Sequence, residues 1–384
     1  MSFILNEDQL AVQDLVRRIA REKVASRASD IDKTAEYPQD MFDLLRELGL
    51  FTLPFPVEYG GMGSSLAACV AIEELVRVCY NTGYLLAVQW TPFGAILSGG
   101  TTEQKEMYLP GLANGALRGA LSLTESQSGS DVAGIRTTAE QKNSGFVLNG
   151  SKIWCTGASI ADFILIAAKT HGTHERAKVN LYFVDRNAKG LQIGPKEDKM
   201  GARGIPSCPL FLDEVFIPGN SRLGEEGKGF KIVMEAMNTA RPLHAARGVG
   251  LAQGAIDHAT EFVQQRHAFG QKVSDFQGIR WMLADMQTQT EAARSLVYRT
   301  ASMVDQGIRG QELAPFAAMS KSFATDTAMK VATDAVQLFG AAGISSDYPI
   351  NRYMRDAKVL QIIEGTNQIQ RNIISNALLG RQQH

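Results

Sequence analysis

The segment QIIEGTNQIQR, Gln361 to Arg371, sets one carboxylate, Glu364, between two isoleucines and a glycine close to the end of a long helical stretch. An acid in such a place has two readings. Thr366 is a candidate N-cap for a last helix patterned by Ile369, Ile373 and Leu378, and an acid just before a helix start is favoured by the helix dipole. Alternatively, Ile362 and Ile363 strip water from the carboxylate and raise its basicity, which suits a general base. The local pattern by itself favours the cap.

Two further stretches carry groups that could hold a cofactor. LSLTESQSGSDVAGIRTTA, residues 121–139, is dense in hydroxyls and glycine, so Thr124, Ser128, Ser130 and the intervening N–H groups can surround a polar ligand or form a plain surface loop. KIWCTGAS adds Trp154 and Thr156. An aromatic plane beside a hydroxyl suits a flat ring such as flavin, although a strand tryptophan is more often core. No GxGxxG loop joins a strand to a helix, so a nicotinamide-binding Rossmann domain is not expected, and a Walker loop is absent too. His171 and His174, in THGTHERAK, lack a third ligand nearby and read as a solvated turn; no metal site is expected.

The elements that must position these groups fall into three parts. Residues 1–120 have helical spacing, with Leu10, Leu15 and Ile19 followed by Met41, Leu44, Leu45 and Leu48. Residues 121–230 carry short apolar strands in DFILIAAKT, VNLYFVDRN and PLFLDEVFIP, and GFVLNGSKIWCTG reads as a hairpin turning at Asn149-Gly150. From 231 to 384 the helical period returns in two long stripes, one through Met282, Met286, Ala293 and Val297, the other through Met319, Phe323, Val331 and Leu338. Long helices with short links predict an antiparallel bundle. The order is α, β, α.

Bulk properties narrow the partners. The 384 residues carry a formal net charge of −1, so no dominant basic field draws nucleic acid or an anionic membrane. Cys69, Cys79, Cys155 and Cys208 show no paired spacing and read as buried or inert thiols in a reducing compartment, most simply the cytoplasm. No apolar run approaches membrane-spanning length, and MSFILNEDQLAVQDLV has the pattern of neither a secretory signal nor a transit peptide.

Taken together, LTESQSGSDVAG, GSKIWCTGAS, RHAFGQKVSDFQGI, QLFGAAGISSDYPINRYMRDAK and IIEGTNQIQR resemble the acyl-CoA dehydrogenase family of flavoproteins, in family order and over essentially the whole chain. The resemblance implies a helical domain, a β-barrel or sandwich domain and a C-terminal four-helix bundle, in a homotetramer with one FAD per subunit. It implies that Leu123, Thr124, Trp154 and Thr156 line the flavin, that Ser130 touches flavin phosphate and ligand, and that Thr366 and Gln368 lie near the adenosine part. Arg266, Phe269, Gln277, Gln337 and Gly340 match positions that reach the FAD of a neighbouring subunit. Ala341 stands where many members have a second glycine beside the pyrophosphate, and Ile363 where many straight-chain members have tyrosine.

On the same resemblance Glu364 becomes the base that takes the α-proton of an acyl-CoA thioester while the β-hydrogen leaves as hydride to flavin. Its own N–H and a flavin hydroxyl would hold the thioester oxygen, and Gly365 would let the chain approach it. Asn238 and Arg241 match positions near the thioester and pantetheine; for Arg241 an interhelix ion pair is the structural alternative. Gln89, Trp90, Thr91 and His244 fall in segments bordering the acyl chain, and their bulk and polarity point to a short, branched, cyclic or polar acyl group. His244 bonding a helix carbonyl is the alternative there. Electron-transferring flavoprotein is the acceptor the family implies. Two rivals remain, an acyl-CoA oxidase or eliminating relative and a flavin-bearing DNA-associated protein of the same fold.

Overall fold

A computed structural model describes residues 5–170 and 178–380. The loop with His171 and His174 lies outside the described residues. The first helix, α1 (Glu7–Ile19), starts at a capping box: the Asn6 side chain accepts from the Gln9 amide at 2.9 Å and the Gln9 side chain accepts from that of Asn6 at 3.0 Å. These bonds satisfy N–H groups that a helix start leaves without partners. After α2 (Ala28–Thr34) and α3 (Gln39–Glu47) come α4 (Ser65–Val76), α5 (Tyr80–Gly99) and α6 (Thr102–Ala113). Every residue of α4 is buried, its two acids included, Glu73 paired with Arg294 at 2.8 Å and Glu74 with Arg17 at 2.7 Å. It packs against α1 and α5 and against two helices of the C-terminal part described below.

The strands are β1 (Gly119–Ser122), β2 (Thr138–Lys142), β3 (Gly145–Thr156), β4 (Phe163–Thr170), β5 (Lys178–Asp185), β6 (Leu191–Ile193) and β7 (Ser207–Pro218). Among the described residues they form one curled mixed sheet. β5 runs antiparallel along one edge of β4, while β1 and β2 pair with successive parts of β4 in parallel. β4 is buried on both faces. Phe163, Leu165 and Ala167 join the large helical core, and Ile164, Ile166 and Ala168 join the sheet's own core with Leu148, Tyr182, Val184 and Leu210. Successive side chains of a strand point to opposite faces, so an unbroken apolar run is what a strand between two cores requires.

The hairpin turn is not at Asn149-Gly150. β3 runs through that pair, and Lys142 of β2 faces Gly145, which leaves Asn143-Ser144 as the two-residue turn. Asn143 takes the left-handed conformation the turn needs, with φ +51°. Asn149 instead marks a register shift against β7, and its side chain bonds Glu214 there, accepting from the amide at 2.8 Å and donating to the carboxylate at 2.7 Å. An Asn-Gly pair is as useful to a bulge as to a turn.

The C-terminal part is built on α7 (Gly229–Gln265), a 37-residue spine. A small hairpin, β8 (His267–Ala268) and β9 (Gln271–Lys272), leads to α8 (Gln277–Asp305), α9 (Gly310–Phe339), α10 (Ala341–Ile344), α11 (Ile350–Ile362) and α12 (Asn367–Leu379). α7 packs on α4, α5, α8, α9 and α11. Its approach to α9 is close enough that a Cβ on Gly248 would lie 2.8 Å from the Ala324 carbonyl oxygen. The expected stripes face inward at Met286, Ala293, Val297, Val331 and Leu338, whereas Phe323 is 42% exposed. No helix among the described residues is long and apolar enough to cross a membrane.

Candidate active site

Glu364 lies in the four-residue link between α11 and α12. Thr366 is the cap of α12, accepting from the Ile369 amide at 3.3 Å, so the capping function belongs to the threonine and leaves the carboxylate free. Glu364 has φ +58° and Gly365 φ +84°. For a residue with a side chain that conformation costs on the order of 1 kcal/mol. The link is held in it by Lys321 Nζ, which donates to the Gly365 carbonyl and to Asn367 Oδ1, both at 2.9 Å, and by Gln370 Nε2, which donates to the same carbonyl at 2.9 Å. A Cβ on Gly365 would lie 2.7 Å from that Gln370 nitrogen. Ile363 packs on the core as expected, but Ile362 is 55% exposed, so it is not a wall around the carboxylate. The wall comes from α7 and α9.

On α7, Asn238, Arg241, His244 and Arg247 recur every three residues and form one polar stripe in a buried helix. Pro242 has no N–H to give the Asn238 carbonyl, so the helix ladder lacks that bond at this level of the spine. Arg241 Nη1 donates to Asn238 Oδ1 at 2.5 Å, and its buried Nε has no partner. No described carboxylate pairs with Arg241, so the interhelix ion pair does not form. Among the described residues His244 bonds no helix carbonyl either. Its Nδ1 meets Arg247 Nη2, and its Nε2 lies 3.4 Å from Glu364 Oε1. Arg247, fully buried, also donates to the Tyr80 hydroxyl at 3.1 Å and lies 4.1 Å from the centre of the Tyr84 ring.

These surroundings set the charges. Burial pushes the Glu364 carboxyl above the usual carboxylate range, with Arg247, Lys321 and Arg241 pulling the other way. Burial brings Lys321 down to about 7 and Arg241 down to about 10, each opposed by Glu364. His244 is driven well below an ordinary imidazole, first by burial and then by Arg247, Lys321 and Arg241. Glu364 is therefore a carboxylate of raised basicity beside a neutral imidazole.

The strand side supplies a second wall. Leu123 and Thr124 follow β1 and are joined to the end of β3 by Ile153, whose amide donates to the Thr124 carbonyl at 2.9 Å. Trp154 is next, 51% exposed with φ +60°, so its indole is held out of the core. Thr156 shares a 3.3 Å hydrogen bond with Ser207, and Ser130 is exposed. Below this loop Lys152 and Glu125 form a buried ion pair at 2.7 Å. Tyr84 links the two walls: burial raises its hydroxyl, while Arg247 and Thr156 act in the opposite direction. An exposed indole with hydroxyls around it, anchored by a buried ion pair, fits a flat heteroaromatic group with polar extensions.

Of the remaining expected positions, Gln368 is exposed at the start of α12. Arg266, Phe269, Gln277, Gln337, Gly340 and Ala341 are all exposed, around the β8–β9 hairpin and the α9–α10 junction. Phe269, with φ +51°, is 96% exposed. Gln89, Trp90 and Thr91 have their donors engaged: Gln89 Nε2 donates to the Leu112 and Leu117 carbonyls at 2.8 and 2.6 Å, Trp90 Nε1 to Phe51 at 2.8 Å, and Thr91 Oγ1 to Ala87 at 2.9 Å. Those donors need no partner on a substrate.

Three family models match in succession: acyl-CoA dehydrogenase N-terminal domain over 6–116, middle domain over 120–215 and C-terminal domain over 227–379. An acyl-CoA dehydrogenase of Bacillus subtilis is 41% identical over 380 residues, covering 98% of this chain and 99% of the relative. The chain belongs to the acyl-CoA dehydrogenase family. Cyclohexane-1-carbonyl-CoA dehydrogenase of Geobacter metallireducens is 39% identical, with 98% and 99% covered. Among solved structures, butyryl-CoA dehydrogenase from Megasphaera elsdenii matches with TM-score 0.94 at 36% identity over 99% of this chain and 100% of that one. A chain solved with the electron transferring flavoprotein of Acidaminococcus fermentans as its subject matches with the same TM-score at 39% identity and the same coverage. This acyl-CoA dehydrogenase is an oxidoreductase with FAD as its cofactor.

Sequence reasoning did not single out Arg247, Lys321, Tyr80 or Tyr84. The three-residue spacing of Arg241, His244 and Arg247 inside the otherwise apolar stretch RPLHAARGVGLA was the available signal. Lys321 gives none, because its target is a backbone carbonyl 44 residues away.

Proposed function

We propose that this enzyme converts a short, branched or cyclic acyl-CoA thioester to the 2-enoyl-CoA, with Glu364 taking the α-proton. The observation that carries the reading is a carboxylate only 15% exposed in a left-handed link, beside a neutral imidazole and with no formed ion pair to arginine or lysine among the described residues. A carboxylate locked to a cation would be a weaker base, and one in water would have a pKa of roughly 4.3. The Glu364 N–H meets no protein acceptor among the described residues, which leaves it to stabilise the thioester oxygen as negative charge develops there. Arg241, with a buried Nε unpartnered among the described residues, and Asn238, about one turn before it on α7, suit the thioester and pantetheine. Bound FAD supplies the two-electron acceptor for the hydride that leaves the β-carbon. Leu123, Thr124, Trp154 and Thr156 would flank its ring, Ser130 its phosphate, and Thr366 and Gln368 its adenosine part.

The acyl group is argued from Ile363 and from the butyryl-CoA and cyclohexane-1-carbonyl-CoA dehydrogenases among the relatives, now that Gln89, Trp90 and Thr91 are accounted for. Anaerobic bleaching of the flavin by butyryl-, isobutyryl-, cyclohexane-1-carbonyl- and long straight-chain acyl-CoAs tests it. Highest efficiency is expected within the first three; a long straight chain as best substrate overturns the assignment. Oxygen uptake without an added carrier would mark an oxidase instead. An electron-transferring flavoprotein as acceptor is supported by the Acidaminococcus chain, and a cytoplasmic location by four buried free cysteines.

The exposed ring of Phe269, beside Arg266, argues for a homotetramer in which these residues, with Gln277, Gln337, Gly340 and Ala341, complete the FAD site of a neighbour. Arg266→Ala should leave the melting temperature of the protein near wild type while FAD is lost on gel filtration. Unchanged FAD retention in an assembled oligomer would end the cross-subunit assignment.

A further inference from the structure

We propose that Arg247 and His244 are positioning residues for the base: the guanidinium fixes the imidazole tautomer, and the imidazole presents its Nε2–H to Glu364 Oε1, leaving the other carboxylate oxygen to meet the substrate. This rests on Glu364 being the base.

The tautomer follows from elementary chemistry. A guanidinium has donors and no acceptor. Arg247 Nη2 is against His244 Nδ1, so Nδ1 offers its lone pair and the neutral ring carries its proton on Nε2. Charging the ring would place a second N–H against the guanidinium, a cost to which burial and the charges of Lys321 and Arg241 add. Arg247 is itself fixed on its far side by the Tyr80 hydroxyl and the Tyr84 ring, and no described carboxylate pairs with it. The Nε2–Oε1 separation of 3.4 Å exceeds that of a formed bond, about 2.9 Å. Catalytic hydrogen bonds are commonly long without ligand and tighten in the substrate complex.

Two consequences distinguish this from a packing role. His244 has no lone pair facing Glu364, so it cannot take the abstracted proton onward or replace the base. The donor also favours the ionised carboxylate, so its loss raises the pH at which the base becomes available. The groups that act on Glu364 are Arg247, Arg241 and His244 on α7, Lys321 on α9, and Tyr80 and Tyr84 on α5; of these His244 alone is within ion-pair distance among the described residues.

The test is the pH profile of anaerobic flavin reduction in FAD-loaded enzyme. His244→Asn keeps an acceptor for Arg247 at the Nδ1 position but withdraws the donor from Glu364. Its rising limb should move up by about one pH unit. His244→Gln, which can span both partners, should stay close to wild type. Arg247→Met should move the limb upward and Arg247→Lys should largely restore it. His244→Asn with full FAD and an unmoved limb overturns the proposal, even where its melting temperature falls. Failure of the underlying reading looks different: near wild-type reduction in Glu364→Gln removes the base, whereas an inactive Glu364→Gln with an unmoved His244→Asn limb removes only the positioning role of His244 and Arg247.

Discussion

Glu364→Gln should reduce the rate of flavin reduction by at least about 10²-fold, the loss attributable to a general base, while FAD content and acyl-CoA binding persist. The amide keeps the size of the side chain and part of its hydrogen bonding but cannot accept the α-proton. On the tautomer proposed above, the neighbouring imidazole turns an N–H toward the carboxylate and its lone pair toward Arg247, so it offers no second base among the described residues. Thr366 already caps α12, so the loss of stability should be at most about 1 kcal/mol. Single-turnover bleaching with FAD occupancy measured first distinguishes the outcomes: a Gln variant that bleaches like wild type puts the base elsewhere. In the wild type the rate should rise with pH through a midpoint above the usual carboxylate range, since burial raises Glu364 more than its cations lower it and the proton must be absent for reaction.

Lys152→Met should cost about 3–5 kcal/mol of stability, the usual result of removing one partner from a buried ion pair. Lys152 is fully buried and Glu125 is 4% exposed. Burial alone would raise Glu125, yet Lys152, Thr137 and the Arg136 and Thr137 amides hold it at about 2. Removing the ammonium leaves a charge in the interior with its other bonds intact. The double change Lys152→Met with Glu125→Leu should recover much of the loss, because the desolvation cost of both ions goes with them. Lys152 also donates to the Leu123 carbonyl at 3.1 Å, so the single variant should lose FAD more readily. Urea unfolding gives the numbers, and a cost under about 1 kcal/mol would show that the pair does not hold the loop. Because the Glu125 pKa is depressed in the fold, its contribution is complete above about 4.5 and disappears as pH falls toward about 2.

The order helix, strand, helix was legible because hydrophobic period is a local property: DFILIAAKT and the α8 and α9 stripes announce themselves within a dozen residues. The Asn149-Gly150 turn was misread because the same residue pair serves a bulge, and only strand register tells them apart. Glu364 was legible as an ionisable group in an apolar setting, but half of that setting was misplaced. Ile362 faces outward, and the dry walls are α7 and α9, more than 100 and about 40 residues distant in sequence. Likewise the donors of Gln89 and Trp90 turned out to be spent on carbonyls of neighbouring segments, which composition cannot reveal.

β4 has one further consequence. Its odd residues are packed into the helices and its even residues into the sheet, so the strand is a structural member of two interiors at once. Separating strands from helices would bare the strand side of the helical core, Leu165, Leu181 and Phe183 among it. The sequence reads as three segments, but β4 ties the strands to the helices through a shared apolar row, and that row holds the strand wall of the site at a fixed spacing from the helical one.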